Sequence, residues 1–358
     1  LGGVEGVANR LKSISVEVRI AAISEALNYE SSGLDLIIEA LKDSSGQVRS
    51  SAYGLLRQRS ELKVKKALLD YDLLLLLTTL QDWKIENFNS KLGIVNVIST
   101  AYTVNNTDDL KLLLKDPQAT NLTALVCCIP SVNFSSHQGI TYIIDILFNA
   151  YEQLKSLKAL CLDYSQGWIS LGDISAILKA YPKLEVLQIS GGHSLDVSPL
   201  KHHHLKTLIL DTQLTEYTIS QICQLELPAL EYINFCFGDN CYSRHQPDAQ
   251  ELMPILSGKL FPNLKYLGIR GGKDYNKIAS AVARSIIVNR LLVLDLSDGN
   301  LGDKGAEALL KCPAINRLHT VNVSKNSLSK EMVKKLSNLK CRVIAKSQKF
   351  YRYSSARE

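Results

Sequence analysis

Two spacings of apolar residues run through this chain of 358 residues, and each predicts a different kind of element. From residue 122 onward the spelling is L-x-x-L-x-L. It opens at Leu122, Leu157, Leu184, Leu205, Leu230, Leu264, Leu291 and Leu318. The fourth position is Leu125, Leu160, Leu187, Leu208, Ile233, Leu267, Leu294 and Val321; the sixth is Cys127, Leu162, Ile189, Leu210, Phe235, Ile269, Leu296 and Val323. All 24 of these positions are apolar in a chain that is 46% hydrophobic, so the pattern is not a product of composition. Side chains alternate across a strand, and a run of this kind buries one face and leaves the other open. The pattern predicts eight parallel strands starting near those leucines, with at most one more near Val343.

Successive starts lie 35, 27, 21, 25, 34, 27 and 27 residues apart. A 27-residue unit leaves room for a helix that returns the chain to the next strand. Helical spacing predicts such helices at 174–180, 248–256, 276–288, 304–310 and 330–336. Pro182, Pro228 and Pro262 each stand two residues before a ladder leucine and are expected to stop the preceding helix. The 21-residue unit is too short for a helix, so a plain loop is expected there. A strand-plus-helix unit cannot bury its own apolar face, so the units are stable only as a stack, which is the logic of a leucine-rich repeat.

The first 72 residues follow another period. Leu11-Lys12 recurs as Leu41-Lys42 and Val18-Arg19 as Val48-Arg49, both at 30 residues. Each unit begins with a small polar turn suited to capping and continues with apolar residues at helical spacing: Val18, Ala21, Ala22 and Leu27, then Val48, Ala52, Leu55 and Leu56. A second helix is expected at 33–41 and at 61–69, giving at least four helices. Residues 73–121 fit neither period and read as a junction or a cap over the end of the sheet. The expected organisation is α/β: a helical array over 1–72, a junction over 73–121, a solenoid with one parallel strand per repeat and outer helices over 122–345, and a basic tail over 346–358.

Two resemblances attach to these residues. The recurring turn, Val-Arg and Ala-rich helix of residues 1–72 resembles the HEAT-like repeats of about thirty residues found in bacteria, a type that also forms the phycobilin lyases; that breadth implies no single function. SDGNLGDKGAEALL (297–310) and SKNSLSKEMVKKL (324–336) resemble ribonuclease-inhibitor-type repeats. Residues 157–345 are similar to an uncharacterised bacterial leucine-rich-repeat family, some of whose members are fused to WGR domains. The stretches that carry this are SGGHSLDVSPLKHHHLKTL (190–208), LPALEYINFCFG (227–238), LSGKLFPNLKYLGIRGG (256–272) and LGDKGAEALL (301–310). That resemblance implies the fold and no chemistry.

Charge changes the picture at one end only. The net charge is +6, but ten basic and two acidic residues fall after position 324, so residues 1–324 carry 31 basic against 33 acidic. A positive field over the whole surface, as a nucleic-acid binder would show, is excluded. Eight cysteines show no metal or disulfide spacing, and Cys127 occupies a ladder position; free, buried thiols and a reducing, cytoplasmic setting are expected. No apolar run approaches the ~18 residues that span a bilayer.

The x positions of the strands supply the candidate partner-binding surface on the concave face. Tyr232 and Tyr266 occupy the third position of neighbouring strands, with Gln188, Asn234 and Asp295 at the fifth, Asp211 and Arg270 at the seventh, and Tyr164 just beyond its strand. Exposed aromatics beside an arginine and several aspartates are the ingredients of a protein interface. His202–His204 and the set Cys236, Cys241, His245 contain metal-ligand residue types without zinc spacing. Gly191-Gly192 and Gly271-Gly272 follow strands without a spaced third glycine and read as tight turns. No nucleophile elbow, phosphate loop or H-E-x-x-H is present. The sequence therefore predicts a non-catalytic scaffold with a protein partner and no cofactor. The alternative is a nucleic-acid accessory role for the basic end, where Phe350, Tyr351 and Tyr353 interleave with cations.

Overall fold

The computed structural model describes residues 3–128, 139–164, 170–237, 248–271 and 274–349, and the chain divides into two compact units, Leu1–Asp82 and Trp83–Glu358. The first unit is helical: α1 (Val4–Arg10), α2 (Val16–Ala26), α3 (Glu30–Ala40), α4 (Gly46–Leu56) and α5 (Leu62–Asp70). The Ser15 side chain caps α2 by accepting the Val18 N–H at 3.3 Å. Ala22, Ile23, Ala26, Ile37, Val48, Ala52, Leu56 and Val64 form the fully buried seam between these helices.

Sequence spacing misplaces part of that seam. Val18 and Leu27 are exposed rather than inward, and α2 turns Arg19, Ala22, Ile23 and Ala26 inward instead. A charged residue takes a core position because its guanidinium is fully engaged. Arg19 Nη1 donates to the carbonyls of Ser13 and Ile14, while Nε and Nη2 grip the Asp43 carboxylate at 2.9 and 3.0 Å. Thirty residues on, Arg49 Nη1 donates to the carbonyls of Asp43 and Ser44, and Nε and Nη2 reach Leu75 O and Asp82 Oδ1. The repeated arginine holds its own turn and reaches into the next one.

The second unit is built on an eleven-stranded parallel sheet of the described residues: β1 (Lys84–Asn87), β2 (Thr100–Val104), β3 (Ala124–Cys128), β4 (Ala159–Tyr164), β6 (Val186–Gly191), β8 (Thr207–Asp211), β9 (Tyr232–Cys236), β10 (Tyr266–Arg270), β11 (Val293–Asp295), β12 (Thr320–Asn322) and β13 (Arg342–Ile344), in that spatial order. Two short strands, β5 (Ser170–Asp173) and β7 (His193–Asp196), pair beside it. Each strand starts two residues after its ladder leucine, and the fourth and sixth ladder residues stand in register across the sheet, as in Leu208↔Ile233↔Leu267↔Leu294↔Val321. Helices α6 (Thr107–Leu114), α7 (Gly139–Asn149), α8 (Ser175–Ala180), α9 (Glu216–Ile222), α10 (Met253–Leu256), α11 (Tyr275–Ala283), α12 (Asp303–Leu310) and α13 (Lys330–Leu336) pack on the ladder side. One continuous core fills the space between, from Tyr102 to Cys341. This is the leucine-rich-repeat arrangement.

Two differences from the sequence pattern have physical causes. The sheet begins at β1, inside the stretch expected to be a junction. In β2 the ladder pair is Tyr102 and Val104, with Ser99 where the first leucine would stand, so the L-x-x-L-x-L spelling fails although the strand is buried along its length. The β1 edge carries Lys84 and Glu86, an ion pair on a largely exposed strand, which is how a sheet end avoids further pairing. The second difference is α9, a helix in the 25-residue unit that the spacing did not predict; Thr215 caps it by accepting the Thr218 N–H. Pro228 therefore lies six residues past a helix end rather than stopping it, and the helix expected from residue 248 is confined to Met253–Leu256. The 21-residue unit has no helix, as its length dictates.

Candidate functional site

On the sheet face opposite the ladder, register brings side chains into rows that run across the strands. The first row contains Val186, Thr207, Tyr232, Tyr266, Val293 and Thr320; the second Gln188, Ile209, Asn234, Gly268, Asp295 and Asn322; the third Ser190, Asp211, Cys236 and Arg270. Seven of the eight candidate residues belong to these rows.

Tyr164 does not. Leu160, Leu162 and Tyr164 continue one alternation, so the tyrosine points into the core and is 1% exposed. Burial beside Cys127 and Cys161 raises its hydroxyl pKa well above the usual value. Phe237 follows Ile233 and Phe235 inward by the same alternation. Continued strand parity, one residue past the ladder, is the signal that would have placed both.

Tyr232 and Tyr266 do face away from the ladder, but they are not exposed aromatics. Adjacent parallel strands hold their rings 4.0 Å apart and 4° from parallel, so each covers the other, and only 7% and 4% of their surfaces remain accessible. The Tyr266 hydroxyl donates to Asp295 Oδ2 at 2.8 Å, Asn322 Nδ2 donates to the same oxygen at 3.1 Å, and the Ser297 N–H donates to Asp295 Oδ1 at 2.8 Å. Asp295 is thereby drawn into the face rather than presented. Asn234 lies over Gly268, where a Cβ would fall 2.1 Å from its Oδ1; only glycine permits this approach, and the buried Oδ1 has no hydrogen-bond partner.

What remains accessible is Gln188, Asp211 and Arg270. Arg270 donates to Asp298 Oδ2 at 3.5 Å, and Lys325 and Lys349 approach the same carboxylate at 4.0 and 3.7 Å. Partial burial would lower the Arg270 pKa, but Cys236, Asp295, Asp211 and Asp298 together raise it. The arginine is a fixed positive centre with acidic residues on several sides. Two of the cations counted toward the basic end are thus already directed to Asp298, and residues 350–358, including Phe350, Tyr351 and Tyr353, lie outside the described residues.

The remaining candidates resolve differently. His202 is buried rather than part of a solvated loop: its Nδ1 accepts the Leu205 N–H at 3.0 Å and its Nε2 meets Tyr181 O at 3.1 Å. With Nδ1 accepting, the proton belongs on Nε2, which donates to that carbonyl. His204 Nδ1 contacts Pro182 O at 2.9 Å. These two rings do the bridging that a helix does in longer units. Cys241 and His245 lie outside the described residues. The seven described cysteines are unpaired, with burial pushing Cys161 up to about 12 and Cys223 up to about 11.

Sequence reasoning also missed the position just before each central strand. Lys158, Glu185, Lys206, Glu231 and Lys265 alternate in charge across five neighbouring strands, with Lys158–Glu185 at 3.6 Å, Lys206–Glu185 at 2.6 Å and Lys265–Glu231 at 2.6 Å. The alternation is visible in the sequence once the strands are aligned. At a partly exposed surface it contributes little stability, but it disfavours slipped register, which would place like charges opposite each other.

Comparison with protein-family profiles and with curated proteins returns no match. Among solved structures, a Bacteroides fragilis protein determined by a structural-genomics consortium is 28% identical over 69% of this chain and 71% of that one, with a TM-score of 0.61. An internalin of Listeria monocytogenes (13% identity, 91% of this chain and 94% of that one, TM-score 0.37) and a chain of the yeast Rad7 and Elc1 complex (17%, 94% and 87%, TM-score 0.35) superpose only loosely. No helix among the described residues is long and apolar enough to cross a membrane.

Proposed function

We propose that this chain is a non-catalytic interaction scaffold that binds a protein partner across the concave, strand-lined face, with Arg270 at the centre of the contact and Asp211 and Gln188 beside it. The observation that carries the reading is a preorganised polar surface. The Tyr232–Tyr266 stack, tied through Asp295 to Asn322, gives Arg270 a stiff floor, so little ordering entropy opposes binding. Tyr232 and Tyr266 act in this reading as the support of the site, and Asn234 and Asp295 as its lining. Residues 1–72 are read as a HEAT-like helical array, supported by the equivalent hydrogen bonds of Arg19 and Arg49. Unpaired cysteines favour a reducing, cytoplasmic compartment.

The test is capture of a partner from nuclease-treated host lysate by the wild-type chain and by Arg270→Glu, followed by affinity measurement with the recovered protein. Reversing the central charge is expected to weaken binding about 100-fold, the effect of losing an interface hot spot. Equal capture by both proteins would place recognition elsewhere. Capture lost on nuclease treatment, with steep salt dependence, would favour the nucleic-acid reading of the basic end.

A further inference from the structure

On the ladder side of the second unit, away from the rows just described, a cleft of about 520 Å³ opens between the end of α7 and the end of α8. Its volume falls within the range of small-molecule sites. Leu157, Ala180 and Tyr181 form an apolar base, and Phe148 and Tyr151 stand at the wall, 45% and 49% exposed. Large aromatic surface left open in pairs marks a binding position rather than a folding requirement.

The base is held rigidly. The Tyr181 hydroxyl donates to Leu147 O, while His202 and His204 hold the carbonyls of Tyr181 and Pro182. The paired histidines of the short repeat therefore fix the loop that closes the cleft.

Charge around the opening is one-sided. Lys155, Lys179 and Lys183 line the cleft, all exposed and none in an ion pair among the described residues, whereas eleven lysines elsewhere are paired. The single opposing charge is Glu152, which interacts with the Tyr151 hydroxyl. Three uncompensated ammonium groups around an apolar base complement an anion with a hydrocarbon body.

We propose that this cleft binds a small amphiphilic organic anion, its apolar body between Phe148, Tyr151 and Tyr181 and its carboxylate or similar head among Lys155, Lys179 and Lys183. The site is separate from the strand face, so it is independent of the scaffold reading and can be occupied together with a protein partner.

Titration calorimetry with decanoate, decanamide and decylammonium, matched in chain length and kept below micelle formation, tests it. One decanoate is expected per chain, bound about ten-fold more tightly than decanamide, with decylammonium weaker than both. The triple variant Lys155→Gln, Lys179→Gln, Lys183→Gln should bind decanoate and decanamide alike. Phe148→Ala with Tyr151→Ala should lose both ligands while keeping the wild-type unfolding midpoint, because both side chains are substantially exposed. Equal affinity for decanoate and decanamide in the wild type, or an unchanged decanoate preference in the triple variant, overturns the proposal. So does an acidic Leu-Glu peptide that binds in a lysine-dependent way where decanoate does not, since the cleft would then be a protein-docking groove.

Discussion

The two units solve the same problem, joining one repeat to the next, with opposite chemistry. The helical unit uses a buried arginine per repeat: Arg19 and Arg49 each bind the carbonyls of their own turn and a carboxylate of the following one. The strand unit uses apolar ladder residues in register, backed by backbone hydrogen bonds between strands. Hydrophobic contact is non-directional and is shared among many neighbours. A guanidinium clamp is directional and concentrated in one side chain, and it repays its desolvation only while all its partners remain in place. The difference teaches that the strand unit can vary its repeat length from 21 to 35 residues, while the helical unit must keep its period, since the clamp has a fixed reach.

The largest expected effect is on the ladder. Phe235→Ala removes a side chain with no accessible surface and should lower stability by about 3–5 kcal/mol. Denaturant unfolding measures the loss, and hydrogen exchange locates it: amides of β8–β10 should lose protection while those of α2–α4 keep theirs. A loss under ~1 kcal/mol would mean that the core relaxes around the hole, which close packing does not allow.

Next comes the clamp. Arg49→Ala leaves Asp82 without its cation and the Asp43, Ser44 and Leu75 carbonyls without their donor, and should cost about 3 kcal/mol in the helical unit alone. If Arg49→Met is as stable as the wild type, the polar link is a register device and not a source of stability, and the contrast between the units weakens accordingly.

The smallest effect is a pH dependence carried by His202. Burial lowers its pKa below the usual value, only partly offset by the bond to Tyr181 O. An unfolded histidine titrates near 6.5, so below that pH the unfolded chain binds more protons than the folded one. Stability from this group is therefore present above about pH 6.5 and is lost as pH falls toward the folded pKa, at most ~1.4 kcal/mol per pH unit. His202→Asn keeps an acceptor for the Leu205 N–H and cannot titrate. Its thermal midpoint should vary less between pH 7 and 5 than that of the wild type; identical profiles would remove His202 as the cause.

The sequence by itself determined which residues build each strand and which side they face. The ladder leucines, the inward Cys127, the late strand at Val343, the left-handed turns at Gly191 and Gly192 and the helices α8, α12 and α13 follow from local periodicity and turn chemistry. Local pattern is enough there because backbone geometry fixes side-chain direction within a few residues. Tertiary structure alone decided what each outward side chain meets. Tyr232 and Tyr266 read as exposed because nothing within either strand covers them; their 34-residue separation hides that register makes them stack. β2 was hidden because its buried residues do not spell the ladder, and the cleft at Phe148 and Tyr151 because its lysines come from two repeats. Exposure, partnership and charge balance belong to pairs of residues tens of positions apart, and only the folded register brings those pairs together.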